Sequence, residues 1–146
     1  MIRTTGFIVG ILLTAATLAD AFAAEIVIIA NPAYPVQKIQ LADLKKIYLG
    51  EKLYEGSMVL KPMDQADLNP IKKVFIEKVL VLSVEYYKGY WLKRVFREGS
   101  IPPAVKPSSR EVIATVESET GAIGYVWAEE VGGKQDLKIL LRVHVD

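Results

Sequence analysis

Residues 25–30, Glu-Ile-Val-Ile-Ile-Ala, form a β-branched run halted by Asn31-Pro32. The run is apolar without alternation. Alternation would mark a strand with one wet face; a continuous run marks a strand covered on both. Such a strand needs helices above and below its sheet, so the flanking sequence has to supply helices as well as further strands.

Upstream, Arg3 precedes an apolar stretch from Phe7 to Leu18, and Ala21-Phe22-Ala23 follows it. A small positive start, an apolar run too short for a bilayer span and small residues at −3 and −1 are the marks of a secretory signal peptide. Cleavage is expected after Ala23; cleavage after Ala24 would put Phe22 at −3, a poorer fit. The expected organisation is a signal peptide over residues 1–23 and one domain over 24–146, exported to the periplasm, with no membrane span after cleavage. The 146 residues include no cysteine and one histidine, and the net charge is +1. These counts exclude a disulfide framework, a thiolate metal site, a Cys nucleophile, a Cys-linked lipid anchor and a multi-His zinc site. They give no global field directed at nucleic acid.

Downstream, Leu41, Leu44, Ile47 and Tyr48 fall at helical spacing, and Gly50 stands where the helix should end. Ser57–Met63 reads as a second strand. Asn69-Pro70 opens the next helix as N-cap and first residue, with Ile71, Phe75, Val79 and Leu82 as its buried stripe and Lys72, Lys73 and Lys78 outside. A long helix follows from about Ser83 to Arg97, with Val84, Tyr87, Trp91 and Val95 on one face and Gly99 as its stop. Gly89 in mid-helix points to close packing or a break. Ile101–Pro103 and Lys106-Pro107 read as loop. Ser108 and Glu111 form a capping box for a helix to about Glu119. Ala122–Trp127 and Leu137–Val145 are strands; in the last, the odd-numbered residues are expected inside and Lys138, Leu140, Arg142 and His144 on the wetter face. The result is an α/β domain, a mixed sheet covered by helices.

Four segments, taken in order, resemble the phosphate ABC-transporter substrate-binding family. They are Leu41–Gly50 (Leu-Ala-Asp-Leu-Lys-Lys-Ile-Tyr-Leu-Gly), Val74–Leu80, Tyr90-Trp91 with Phe96, Gly99 and Pro102-Pro103, and Glu111–Val116 followed by Gly121-Ala122-Ile123-Gly124-Tyr125-Val126. The pattern is similar to that of short single-domain members. The resemblance implies one lobe of a type 2 periplasmic-binding-protein fold and a role in ABC-type uptake or sensing. It also implies a small anionic solute as ligand and the transporter or another periplasmic protein as partner. In the full-length family a Ser-Gly-Thr-type segment holds phosphate at a helix start. Here the matching place reads Asp64-Gln65-Ala66-Asp67-Leu68-Asn69-Pro70, without a Ser, Thr or Gly and with Pro70 removing a donor.

The candidate ligand contacts are Asn31, Tyr34, Asp64, Gln65, Asn69 and Gly121, chosen because each falls near an expected strand or helix end, where such sheets bind ligands. No cofactor and no metal is expected. His144 has no nucleophile at fixed spacing, and Asp64 with Asp67 lacks the nucleophile–base pair of a hydrolase, so the chain reads as non-enzymatic. The alternative is a protein-interaction module that kept the fold without the ligand. A concave polar surface around Tyr34 and Asn69 would favour the first reading, an apolar patch the second.

Overall fold

The computed structural model describes residues 24–133 and 136–146; the expected signal peptide lies outside them. Strands β1 (Glu25–Ala30), β4 (Lys61–Gln65), β5 (Ala104–Lys106), β6 (Ala122–Trp127) and β7 (Lys138–His144) build one mixed sheet in the order β5-β4-β6-β1-β7. β4 runs parallel to β5 and β6, whereas β1 is antiparallel to both of its neighbours, β6 and β7. The remaining elements are α1 (Leu41–Tyr48), a hairpin β2–β3 (Tyr54–Glu55 and Met58–Val59), α2 (Pro70–Val74) with a π-helical turn after it (Phe75–Val79), α3 (Val84–Glu98), α4 (Ser109–Ser118) and α5 (Ala128–Val131).

The unbroken apolar run of β1 is explained by its position. Ile26, Ile28 and Ala30 face one core with Tyr48, Phe75, Trp91 and Tyr125; Val27 and Ile29 face a second with Val112, Val116 and Val126. Both faces are dry, and each residue of the run beyond Glu25 is buried. The glycines of the 121–124 segment are set by close approach. A Cβ on Gly121 would stand 2.0 Å from the Val59 carbonyl oxygen, and one on Gly124 would stand 2.5 Å from a Val112 methyl. The Gly121 carbonyl also receives the Lys61 N–H at 2.8 Å, which starts β4 beside β6.

Helix α3 ties down the end of α1. Tyr90 and Arg94 donate to the Leu49 carbonyl, and the Trp91 indole donates to the Tyr48 carbonyl, so orphan carbonyls at the end of α1 find partners. Ser83 caps α3 by accepting the Tyr86 N–H, Ser108 caps α4 by accepting the Glu111 N–H, and Gly99 closes α3 with φ +64.

Five expectations need correction. Ser57–Met63 is not one strand: Gly56, at φ +58, turns the β2–β3 hairpin, and β4 begins only at Lys61. Lys106, read as loop, closes edge strand β5, which Ala104 and Val105 begin on β4. In β7 a register shift opposite Ile28 and Ile29 inserts a bulge, so Leu140 is buried rather than wet. Lys72 is buried rather than outside, because it faces a buried carboxylate described below. Gly89 neither breaks α3 nor packs closely; a Cβ there would meet nothing within 4 Å.

The glycines therefore divide. Gly121→Ala should lower unfolding stability by about 2 kcal/mol, since backbone rather than a flexible tip must move. Gly89→Ala should raise it by about 0.5–1 kcal/mol through helix propensity alone. Denaturant midpoints of the two variants check both signs.

Candidate functional site

Asp64 lies near the carboxyl end of β4 and is 3% exposed. A carboxylate in that position is tolerable only when fully paired. The Tyr125 hydroxyl donates to its Oδ1 at 2.5 Å and the Tyr87 hydroxyl to its Oδ2 at 3.1 Å. The Gln65 N–H adds 2.8 Å to Oδ1, and the Lys72 ammonium stands 3.4 Å from Oδ2. One strand, two helices and the neighbouring strand thus meet on a single carboxylate. The Tyr125 ring stacks on Phe75 with centroids 3.8 Å apart, which fixes its hydroxyl. Burial, followed by the Asp64 charge, pushes the Tyr87 and Tyr125 hydroxyls well above the usual phenol range, so both stay donors.

A second layer of charge lies outside the first. Lys72 also contacts Asp67 Oδ1 at 2.9 Å, and Lys88, from α3, contacts Asp67 Oδ2 at 3.0 Å. Hydrogen bonds from Lys72 and then Lys88 hold the Asp67 carboxyl below its ordinary range. Asp67 is exposed, in contrast to Asp64. A pocket of about 320 Å³ opens here, lined by these charges together with Trp91, Leu92, Val95, Pro103 and Val105.

The six candidate residues do not converge. Asp64, Gln65 and Asn69 stand together at the carboxyl end of β4. Asn31 and Gly121 belong to the opposite end of the sheet: Ala30 pairs with Ile123, and Ala122 is level with Lys61. Four residues of strand, roughly 13 Å, separate the two ends. Asn31 is buried and fully engaged. Its amide donates to the Val116 and Glu117 carbonyls at 2.9 and 3.1 Å, and its Oδ1 accepts the Ala33 N–H at 2.9 Å. Tyr34 is 1% exposed and belongs to the core, with its carbonyl taking the Lys138 ammonium.

Gln65 and Asn69 are likewise occupied. Gln65 donates to the Tyr125 carbonyl at 2.9 Å and to Ser109 at 3.0 Å, and its Oε1 accepts from Asn69 at 3.1 Å. Asn69 holds the N-cap place of α2, yet its side chain caps nothing; it donates to Gln65 and to the Pro107 carbonyl, linking α2 to the start of α4. The sequence reading missed Lys72, Lys88, Tyr87 and Tyr125 as members of this site. Tyr125 and Tyr87 are separated from Asp64 by 61 and 23 residues, so spacing could not reveal them. Among the described residues no group of three or more His, Cys, Asp or Glu is disposed to hold a metal, and no helix is long and apolar enough to cross a membrane.

The fold is similar to that of several solved transport proteins. An ABC-type phosphate transport receptor from Vibrio cholerae superposes with a TM-score of 0.62 at 16% identity, over 80% of this chain and 45% of that one. A protein assigned as the substrate-binding component of a phosphate ABC transporter, from Clostridium perfringens and with bound phosphate, gives 0.64 at 15%, over 80% and 44%. PstS from Borrelia burgdorferi gives 0.62 at 17%, over 80% and 46%. The chain thus spans less than half the length of each. No protein-family model and no curated protein matches it. The architecture expected from the sequence, a mixed sheet covered by helices that resembles one lobe of a binding protein, is the one observed.

Two outcomes test the site as described. Asp64→Ala should cost about 3 kcal/mol in unfolding stability: it strips a buried pair of one partner, but Lys72 retains Asp67. Tyr34 presents a buried hydroxyl with no hydrogen-bond partner among the described residues, and burial, followed by the Glu55 and Asp43 charges, pushes its pKa up to about 12. Its neutral form is thus favoured by folding, and that stability is present below the unfolded-state pKa near 10 and lost as pH rises toward 12. Tyr34→Phe should be neutral to about 1 kcal/mol stabilising at pH 7. It should also flatten the alkaline loss of stability, read from melting temperature between pH 9 and 12.

Proposed function

We propose that this chain is a non-enzymatic periplasmic domain of the substrate-binding type, which holds a small anionic solute for an ABC-type uptake or sensing system. The observation that carries this reading is the meeting of Lys72 and Lys88 on one exposed carboxylate in a pocket at a strand's carboxyl end. Such strand ends are where open α/β sheets bind ligands. Two ammonium groups that can share one carboxylate can share another anion of similar span. The fold likeness to phosphate-transport proteins adds support for the solute class. The secretory features of the first 23 residues support a periplasmic location.

The mode of binding differs from that of the full-length phosphate proteins. Gln65 and Asn69 are committed to internal bonds, and Pro70 has no N–H to offer. The ligand's charge therefore rests on the two lysines.

A second reading has its own support. Leu68, Phe96 and Ile101, in segments adjoining the pocket, are 94%, 82% and 90% exposed. Apolar exposure of that kind suits a protein-interaction module.

Melting temperature of the purified protein against phosphate, sulfate and small organic acids, with a light-scattering mass alongside, separates the readings. Binding to the folded state raises the melting temperature by mass action. A saturable rise with one class of anion is expected, and Lys88→Gln should reduce it. No rise at millimolar concentrations of any anion would discard solute binding in favour of the interaction module.

A further inference from the structure

We infer that the pocket beside Asp67 takes a small organic monocarboxylate carried on an apolar body, whose carboxylate displaces that of Asp67 from Lys72 and Lys88. This deepens the anion-binding reading and rests on it.

The floor of the pocket carries two tiers of charge that differ in how firmly they are held. Asp64 is buried and receives two tyrosine hydroxyls and a backbone N–H, so it is fixed. Asp67 is exposed and, among the described residues, held by the Lys72 and Lys88 ammonium groups, at 2.9 and 3.0 Å. The pair with Lys88 is exposed on both sides, and the Asp67 end of the pair with Lys72 is exposed; exposed ion pairs are weak, and an exposed side chain reorganises at little cost. Asp67 thus stands where an external carboxylate would stand, on the same two donors. With Asp67 in place the four charges of the floor cancel; once it swings out, an incoming monoanion restores that balance, whereas a dianion overshoots it.

The apolar part of the lining sets the rest of the ligand. Trp91, Leu92, Val95, Pro103 and Val105 present hydrocarbon, and Leu92 and Val105 are 60% and 59% exposed. Inorganic phosphate gains nothing from such a wall and needs many N–H donors. An aliphatic or aromatic body covers the wall and gains by its burial. The pocket volume of about 320 Å³ suits a small molecule.

The test is isothermal titration of the full protein with 4-phenylbutyrate, inorganic phosphate and 4-phenylbutan-1-ol, on the unsubstituted chain, Asp67→Asn, Lys88→Gln and Leu92→Asp. Circular dichroism confirms that each variant folds. Saturable binding of 4-phenylbutyrate is expected, with phosphate at least about tenfold weaker and the alcohol without effect. Asp67→Asn should tighten 4-phenylbutyrate about three- to thirtyfold, because the Asp67 carboxylate no longer competes for Lys72 and Lys88. Lys88→Gln and Leu92→Asp should each weaken it. If Asp67→Asn does not fold, these last two variants carry the test. Phosphate binding without 4-phenylbutyrate binding would overturn this inference and leave the anion-binding reading standing. Equal affinity for Asp67→Asn and the unsubstituted chain would overturn the displacement. No binding of either anion to any folded variant would overturn the inference and the anion-binding reading together.

Discussion

The buried carboxylate of Asp64 is the constraint on which the strand-end architecture depends. A charge taken out of water is costly unless every lone pair is used. Meeting that demand draws Tyr125 from β6, Tyr87 from α3 and Lys72 from α2 to one point. Those three elements then have fixed relative positions, and the aromatic packing of Phe75 on Tyr125 follows from the same requirement. A π-helical turn over Phe75–Val79, directly after α2, lets the chain bury Phe75, Ile76 and Val79 together while Lys72 still reaches the carboxylate.

From this inner tier the outer one follows. Lys72, anchored by Asp64, is held at the pocket floor, and Asp67 bridges it to Lys88 on the far helix. The inner tier is structural and the outer one exchangeable, because burial separates them. Without a Ser-Gly-Thr-type segment the chain in this way still presents positive charge at the carboxyl end of β4. The chemistry it presents, two ammonium groups facing hydrocarbon, is different from a ring of hydroxyl and amide donors.

Much of the fold was legible in the sequence. β1 and β6 are continuous, largely apolar runs, and α1, α3 and α4 each carry a helical hydrophobic period or a cap signal within one segment; their observed spans agree with that reading to within a residue or two. What escaped was set by partners elsewhere in the chain. β5 is three residues flanked by prolines and exists because β4 offers it an edge. The β7 bulge depends on register with β1, which no pattern within residues 138–144 encodes. The site was legible in position and not in role. Asp64, Gln65 and Asn69 stand at the strand end, but a cap signal at Asn69 gave no hint that its amide is spent on Gln65 and Pro107. Asn31 and Gly121 share with them only a place at element ends, and strand direction puts the two at the other end of the sheet.

The central claim is that Asp67 is held as an internal anion by two lysines. Carbon-detected NMR titration of the Asp67 side-chain carboxyl, in the unsubstituted chain and in Lys88→Gln, tests it most directly. The account predicts an Asp67 carboxyl that titrates below the ordinary aspartate range and moves upward when Lys88 is replaced. An Asp67 that titrates as an ordinary surface aspartate, unmoved by Lys88→Gln, would contradict it.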